Sequence, residues 1–441
     1  MMRTTAVLVV LGVYGAGIGG VQGQAVGAVW GAPPDGPASG WVHQGPGWED
    51  VQGMAAWGAK GWAVGLDVYD ADGNAVPQVA FAGPDGVIAE AILEAKGHVA
   101  GAAGTDTGDV WVAWRSVDSS PTAGTTSLGK LGRWSGNAAE GAPIAPTAVV
   151  NCPWRTPWMQ PEDVVAVAGG AVVAGWGLDP CCTHRELPLL WKVDANGQPD
   201  LGFGHGGLAV VDLVAHEVIR PPGHSPLHEA SAEPMRHEIG GFFACSAPAE
   251  AGFVAGGGYA NGSSYELLVV RFTDGGMLDT GFGNQGIVHL NANPGTSHWI
   301  SNLRCIGDRI VALVTTHAGG DLEPGCVVWS LDASGQTIGW EEVASDHGIA
   351  QQWVAAQGEL WAIAVSEDPT DPVIGFPWSQ GFGPPSAWPR PPGVAWNGAQ
   401  AAWNPRSHVL GLAYRCLDPV NASCEWGMRT WSPWAETRLH K

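Results

Sequence analysis

The stretch "LDTGFGNQG", Leu278 to Gly286, holds one acid, one aromatic ring and three glycines in nine residues, and it has an echo upstream, "PDLGFGHGG", Pro199 to Gly207. Such a stretch is a phosphate cradle, a metal loop or a device of architecture. The glycines around Phe203 and Phe282 suggest a nucleotide fingerprint, but no G-x-G-x-x-G leads into a helical pattern, and no G-x-x-x-x-G-K-[ST] occurs. The neighbouring turns "YDADGNAV", "VDANGQPD", "FTDGGMLD" and "LDASGQTI" open with alternating oxygens like a calcium loop. That reading lacks its twelfth-position Glu: the count from Asp70 ends at Phe81, and from Asp194 at His205. What remains is a turn. Asp200 and Asp279 cap it, Gly204, Gly207, Gly283 and Gly286 supply positive φ, and Phe203 and Phe282 are apolar anchors that seat the loop against its blade.

The turn is part of a repeat. "AVVAGWG" followed by "LPLLWKVDANGQPDLGFGHGGLAVVDL" lines up with "GFVAGGG" followed by "YELLVVRFTDGGMLDTGFGNQGIVHL", in the order strand, strand, polar turn, glycine–aromatic turn, strand. Weaker copies follow at Arg309, Glu359 and His408 and precede at His98, and "GWAVGLDVYDADGNAV" from Gly61 is a further degenerate unit. The shortest spacings are near 50 residues, the length of a four-stranded propeller blade. The strands are apolar on both faces, as blades that cover one another require. Two β-sandwiches would give cleaner alternation instead. The expectation is an all-β chain: a β-propeller of six or seven four-stranded blades, the seventh built from residues 45–90, with an N-terminal strand pairing with the C-terminal blade to close the ring.

The paired segments "VDANGQPDLGFGHGGLAVV" and "FTDGGMLDTGFGNQGIVHL" resemble the delta-60 repeat, a bacterial β-propeller repeat whose signature is an N/D-G-x-L-D turn followed by F-G-x-x-G. The match is clearest at 170–211 and 251–290; "SLDASGQTIGW" keeps the hairpin turn but has lost the Asp and the FG pair. The resemblance implies a secreted or surface-exposed propeller. It brings no general enzymatic assignment.

Composition agrees with many short strands: 66 Gly, 33 Pro and 24 Trp, with 14% charged residues, is a poor recipe for helices. A net charge of −22 repels phosphate backbones, so nucleic acid is not an expected partner. At the N-terminus Arg3, the apolar run Ala6 to Val13 and "VQG" before Gln24 make a secretory signal over residues 1–23, too short and glycine-interrupted to span about 30 Å of hydrocarbon. A Gly/Pro-rich linker over 24–44 and the propeller over 45–441 complete the division, with a polar His/Glu-rich insertion at about 214–240. The mature chain is expected to be secreted or held at the cell surface, monomeric and without a transmembrane segment. Eight cysteines in an exported chain predict disulfides, and Cys416 with Cys424, flanking a short polar turn, is the one pairing proposed.

Chemistry is sparse. The insertion holds His216, His224, His228 and His237, three of them followed by Glu, but not at HExxH spacing, and a solvated loop is the simpler reading. No G-x-S-x-G nucleophile elbow occurs, and acids are too numerous to pair by eye. Trp114, Trp191, Trp329 and Trp361 fall in strand patterns, whereas Trp378, Trp388, Trp396, Trp403, Trp431 and Trp434 sit among Pro and Gly, and Gly375 to Trp396 is the best exposed aromatic loop. The sequence therefore predicts a non-catalytic recognition scaffold without a cofactor or catalytic residues, taking a protein or carbohydrate ligand. A secreted polysaccharide hydrolase or lyase, or a carbohydrate-binding module using loop Trp residues, are the alternatives.

Overall fold

The computed structural model describes residues 39–43, 48–59, 61–83, 86–120, 124–136, 145–154, 156, 158–179, 182–220, 238–247, 252–261, 264–291, 296–318, 325–343, 349–356, 359–365, 373–378, 386–388, 395–417 and 424–431. They form strands and turns, with no helix among them. Strand β1 (Ser39–His43) comes first. Blade 1 is β2–β5 (Trp48–Trp57, Gly61–Tyr69, Ala75–Gly83, Gly86–Ile92) and blade 2 is β6–β9 (Gly97–Gly104, Val110–Ser120, Gly124–Trp134, Ala148–Asn151). Blade 3 is β10–β13 (Met159–Val167, Gly170–Asp179, Cys182–Asp194, Leu208–Asp212) with a short β14 (Glu217–Ile219) on its edge. Blade 4 is β15–β18 (Glu238–Ser246, Phe253–Asn261, Ser264–Phe272, Ile287–Asn291), and blade 5 is β19–β22 (Thr296–Ile306, Arg309–Ala318, Gly325–Leu331, Thr337–Val343). Blade 6 is β23–β26 (Ile349–Ala356, Glu359–Val365, Val373–Trp378, Ser386–Trp388). Blade 7 is β27–β29 (Ala395–Asn404, Val409–Leu417, Cys424–Trp431), completed by β1.

Hydrogen bonding groups these strands into six sheets, because a single parallel bridge between Arg185 and Glu238 fuses blades 3 and 4 into one sheet of nine. Each half of that sheet is its own antiparallel meander, so the β-propeller has seven four-stranded units. Their first strands, β2, β6, β10, β15, β19, β23 and β27, touch one another in turn and β27 touches β2 again. The ring is therefore closed, and β1 latches it by pairing with β29 over Ser39↔Thr430 to His43↔Trp426. That strand comes from the stretch read as linker.

The cores lie between blades, not inside them. One cluster joins Trp57, Ala63 and Phe81 of blade 1 to Val112, Trp114 and Trp134 of blade 2; another joins Val172 and Leu190 of blade 3 to Phe242, Ala255 and Leu268 of blade 4. Trp114, Trp191, Trp329 and Trp361 are buried, as their strand pattern predicts. Trp378 is not on an exposed loop: it is buried in β25 with its ring 6.2 Å from that of Trp353. Trp403 is half-buried in β27. Trp434 and the side chains of Trp388, Trp396 and Trp431 lie outside the described residues.

The opening stretch is a clasp between blades. Phe203 and Phe282 are fully buried, and Phe203 sits edge-on to Phe253 of the following blade at 5.5 Å. The amide of Gly204 donates to the carbonyl of Gly275, and that of Gly283 to Ser334, both at 2.7 Å and both in the next blade's hairpin turn. The glycines have the expected positive φ: 52° at Gly204, 95° at Gly207, 53° at Gly283 and 98° at Gly286. Asp200 Oδ1 and Asp279 Oδ1 each accept the amide two residues on, from Gly202 and Gly281 at 3.1 Å. Their other oxygens meet Lys192 at 3.0 Å and Arg271 at 3.2 Å. Phe282 thus anchors the turn to its neighbour as well as to its own blade.

The hairpin aspartates are used in the same way. Asp194 Oδ1 accepts from the amides of Asn196 and Gln198, each at 2.8 Å, and Asp332 Oδ1 from Ser334 and Gln336 at 2.8 and 2.9 Å. These backbone donors, Gln198 foremost, hold the Asp194 carboxyl below its usual range.

The cysteines depart from expectation. Cys152, Cys245 and Cys305 are free thiols, the first two buried. Burial pushes the Cys305 thiol up to about 11. Cys245 and Cys305 lie on the first strands β15 and β19 and Cys152 just after the outer strand β9, where a buried thiol behaves as a small apolar side chain. Strand pairing sets Cys424 opposite Leu417 and Cys416 opposite Glu425, not opposite each other. Their side chains lie outside the described residues, as do Cys181, residues 1–38 and 221–237.

Candidate functional site

The seven first strands surround a central channel of about 530 Å³, within the size range of small-ligand sites. Its wall is built from small residues because seven strands converge on one axis. A Cβ on Gly53 would lie 2.8 Å from the Ala102 amide, and one on Gly104 2.7 Å from the Ala56 carbonyl.

Every first strand breaks register once, between Val51/Gly53, Val99/Gly101, Pro161/Asp163, Phe242/Ala244, Ile300/Asn302, Ala350/Gln352 and Trp396/Ala399. A β-bulge re-aims the residue it inserts. The inserted residues Gln52, Ala100, Glu162, Phe243 and Ser301 all line the channel, so five blades contribute a different side chain at the same level. Evenly repeated backbone thus carries unevenly chosen chemistry.

Polar side chains next to these bulges latch blade to blade. Asp67 Oδ1 accepts the Val99 amide at 2.7 Å, Asp163 Oδ2 the Cys245 amide at 2.9 Å, Ser246 Oγ the Cys305 amide at 3.1 Å, and Gln352 Oε1 the Ala401 amide at 2.6 Å. In each case the side chain belongs to one blade and the amide to the next. Backbone donors of the first strands are satisfied in this way.

At the mouth where the first strands begin, blades 1 to 3 carry a continuous polar belt. Asp67, 1% exposed, also receives Gln52 Nε2 and contacts His98 Nδ1, both at 3.0 Å. Across β6–β7 His98 pairs in register with Arg115, whose Nη1 donates to Gln160 Oε1 in blade 3. The Arg115 guanidinium lies 5.0 Å from the Trp158 ring centroid, and its Nε is buried without a partner. Burial pulls Arg115 below its ordinary value, opposed by the charges of Glu162 and Asp67. Glu162 accepts from Trp176 Nε1 at 3.0 Å, and burial pushes its carboxyl up to about 7 against that bond and Arg115. Burial also raises Glu186 nearby. Glu162, Arg115 and Asp67 were not legible in the sequence, since none stands in a motif.

Of the four histidines of the insertion, the described residues include His216 alone. His216 adopts φ 54° and its ring lies 6.0 Å from that of His289, whose Nδ1 meets Glu266 at 2.8 Å. His224, His228 and His237 lie outside the described residues, and no group of three or more His, Cys, Asp or Glu among the described residues could hold a metal ion.

No family model and no curated protein matches the chain. Solved structures do resemble it. The β-propeller domain of the Trilobed protease from Pyrococcus furiosus is 9% identical, with 87% of this chain and 93% of that one covered and a TM-score of 0.42. YCF48 bound to D1 peptide is 11% identical, covering 90% and 99%, at 0.40. Trypanosoma rangeli sialidase in complex with sialic acid is 8% identical at 0.39, covering 91% of this chain and 58% of the sialidase. The likeness is one of fold, and no residue of the channel is carried over from it. Among the described residues no helix is long and apolar enough to cross a membrane.

Proposed function

We propose that the chain is an exported, non-catalytic recognition scaffold of delta-60-type blades that binds a protein or carbohydrate ligand in the mouth of its central channel. The observation that carries this reading is the inequality of the bulge positions. The backbone places one residue per blade at the same level of the channel, and the five whose side chains are described are an amide, a methyl, a carboxylate, an aromatic ring and a hydroxyl. A ring that served only to fill space has no need of such variety, whereas an asymmetric ligand does. Support for the absence of catalysis is that Asp163 spends both oxygens on backbone amides, which costs it the freedom a general acid or base needs. Export rests on the N-terminal signal pattern.

One observation favours the enzyme alternative. Glu162 lines the channel with a carboxyl raised to about 7 beside Arg115 and Glu186, and such a group is suited to proton transfer. A glycan and peptide binding screen read by Trp fluorescence, run beside a hydrolase and lyase panel, separates the two. Saturable binding without turnover is the expected result; turnover abolished by Glu162→Gln replaces the scaffold with an enzyme.

A further inference from the structure

We infer that the group the channel recognises is a carboxylate at the end of a peptide chain, held on Arg304 and the amide donors beside it. This rests on the channel reading above and goes beyond it in naming the ligand's chemistry.

The latches occupy acceptors that line the channel. The chain carries −22, yet the acceptors along the axis are largely consumed. Asp163 gives Oδ1 to the Val164 amide at 2.8 Å and Oδ2 to Cys245. Glu162 is engaged by Trp176 and shares the neighbourhood of Arg115. Asp106 stands exposed in water at the opposite mouth. Donors, in contrast, are left over. Gln352 uses its Oε1 on Ala401, so its Nε2 end remains. Asn302 also lines the channel, with an amide whose buried Oδ1 has no hydrogen-bond partner.

Arg304 is the only Lys, Arg or His among the described residues lining the channel. Of its five N–H donors, one is spent on the Leu303 carbonyl at 2.7 Å. Asp163 lies within electrostatic range but has committed its oxygens elsewhere. Arg304 and Asn302 share a face of β19, two residues apart, and Gln352 stands on the adjacent first strand β23. A fork of donors with few acceptors matches a carboxylate, which offers two oxygens and no proton.

A peptide is favoured as the carrier because the channel wall is mostly backbone. Each first strand pairs along one edge and turns the other to the axis, apart from the single bridge at Glu238, and the lining at 100–104 and 53–56 is Ala and Gly apart from Met54. Free strand edges hydrogen-bond extended peptides, and terminal carboxylates are captured by convergent donors.

The test is calorimetric titration of the full chain with N-acetyl-tetra-alanine bearing a free C-terminal carboxylate, with the same peptide as its C-terminal amide, and with digalacturonate. The free acid is expected to bind on the order of 10- to 100-fold more tightly than the amide, the gap closing in Arg304→Gln and partly surviving in Arg304→Lys. Denaturant midpoints of both variants establish that they fold. Equal binding of acid and amide, unchanged by Arg304→Gln, overturns the carboxylate site while leaving the channel as the binding place. Preference for digalacturonate overturns the peptide. No heat with any of the three overturns the inference outright, and the channel reading then stands or falls separately, on blocking the channel.

Discussion

The Gly283 amide donates to the Ser334 carbonyl across the boundary between blades 4 and 5, as the Gly204 amide does to Gly275 between blades 3 and 4. Because the acceptor lies in a hairpin turn that itself needs a glycine, the two motifs constrain each other. Gly335 has φ 86°, and a Cβ there would lie 2.7 Å from Val288 Cγ2 and 2.9 Å from the Gly283 amide. Gly206 has φ 73° and open space around it. Gly206→Ala is therefore expected to cost about 1 kcal/mol from backbone strain, and Gly335→Ala about 2–4 kcal/mol because strain and clash add. Urea unfolding of both variants checks the difference, and equal costs would remove the clasp from the account.

Phe282→Ala should cost about 3–5 kcal/mol, since the ring is fully buried between strands and the neighbouring turn. Phe282→Leu should recover more than half of that. The unfolding midpoint of each variant measures it.

These motifs explain why the fold was readable. The second, third and fourth strands carry Val, Leu and Trp on both faces and end in Asp–Gly and Phe–Gly turns, so units at 170–211 and 251–290 match β11–β13 and β16–β18. The first strands carry no such signal. "QGMAAW" and "GHVAGAAG" are small because they converge on the axis, so His98 opens a first strand although it aligns by eye with the second strands elsewhere. The second strands begin at 61, 110, 170, 253, 309, 359 and 409, which is seven starts at intervals of 49, 60, 83, 56, 50 and 50. The site was hidden for the same reason: it is built on the first strands, from single residues brought together by the ring.

Stability should fall as pH rises through neutrality. Burial raises the Glu162 carboxyl from 4.5 to about 7, so between those values the folded chain holds a proton that the unfolded chain has released. The protonated form is the one folding favours; its contribution is complete below pH 4.5 and lost as pH passes 7. The loss attributable to Glu162 is about 1–3 kcal/mol. Urea unfolding at pH 5 and pH 8 should show a smaller drop in Glu162→Gln than in the wild type, and an identical drop in both would mean that Glu162 keeps an ordinary carboxyl.

Cys152, Cys245 and Cys305 should resist iodoacetamide in the folded protein and react fully in urea without prior reduction. Peptide mass mapping reads each site separately, and the same digest reports whether Cys416 and Cys424 are joined. Modification of Cys245 at the rate of an unfolded thiol would contradict its burial between blades 3 and 4.

The central claim is that ligands enter the channel, and blocking it is the most direct test. Ala100 is the smallest of the described side chains on the ring of bulges and lines the channel. Calorimetric titration of the tightest ligand from the binding screen into wild type and Ala100→Phe, with equal unfolding midpoints as the control, decides the matter. The account predicts at least a ten-fold loss of affinity in Ala100→Phe; undiminished binding would place the ligand elsewhere on the propeller.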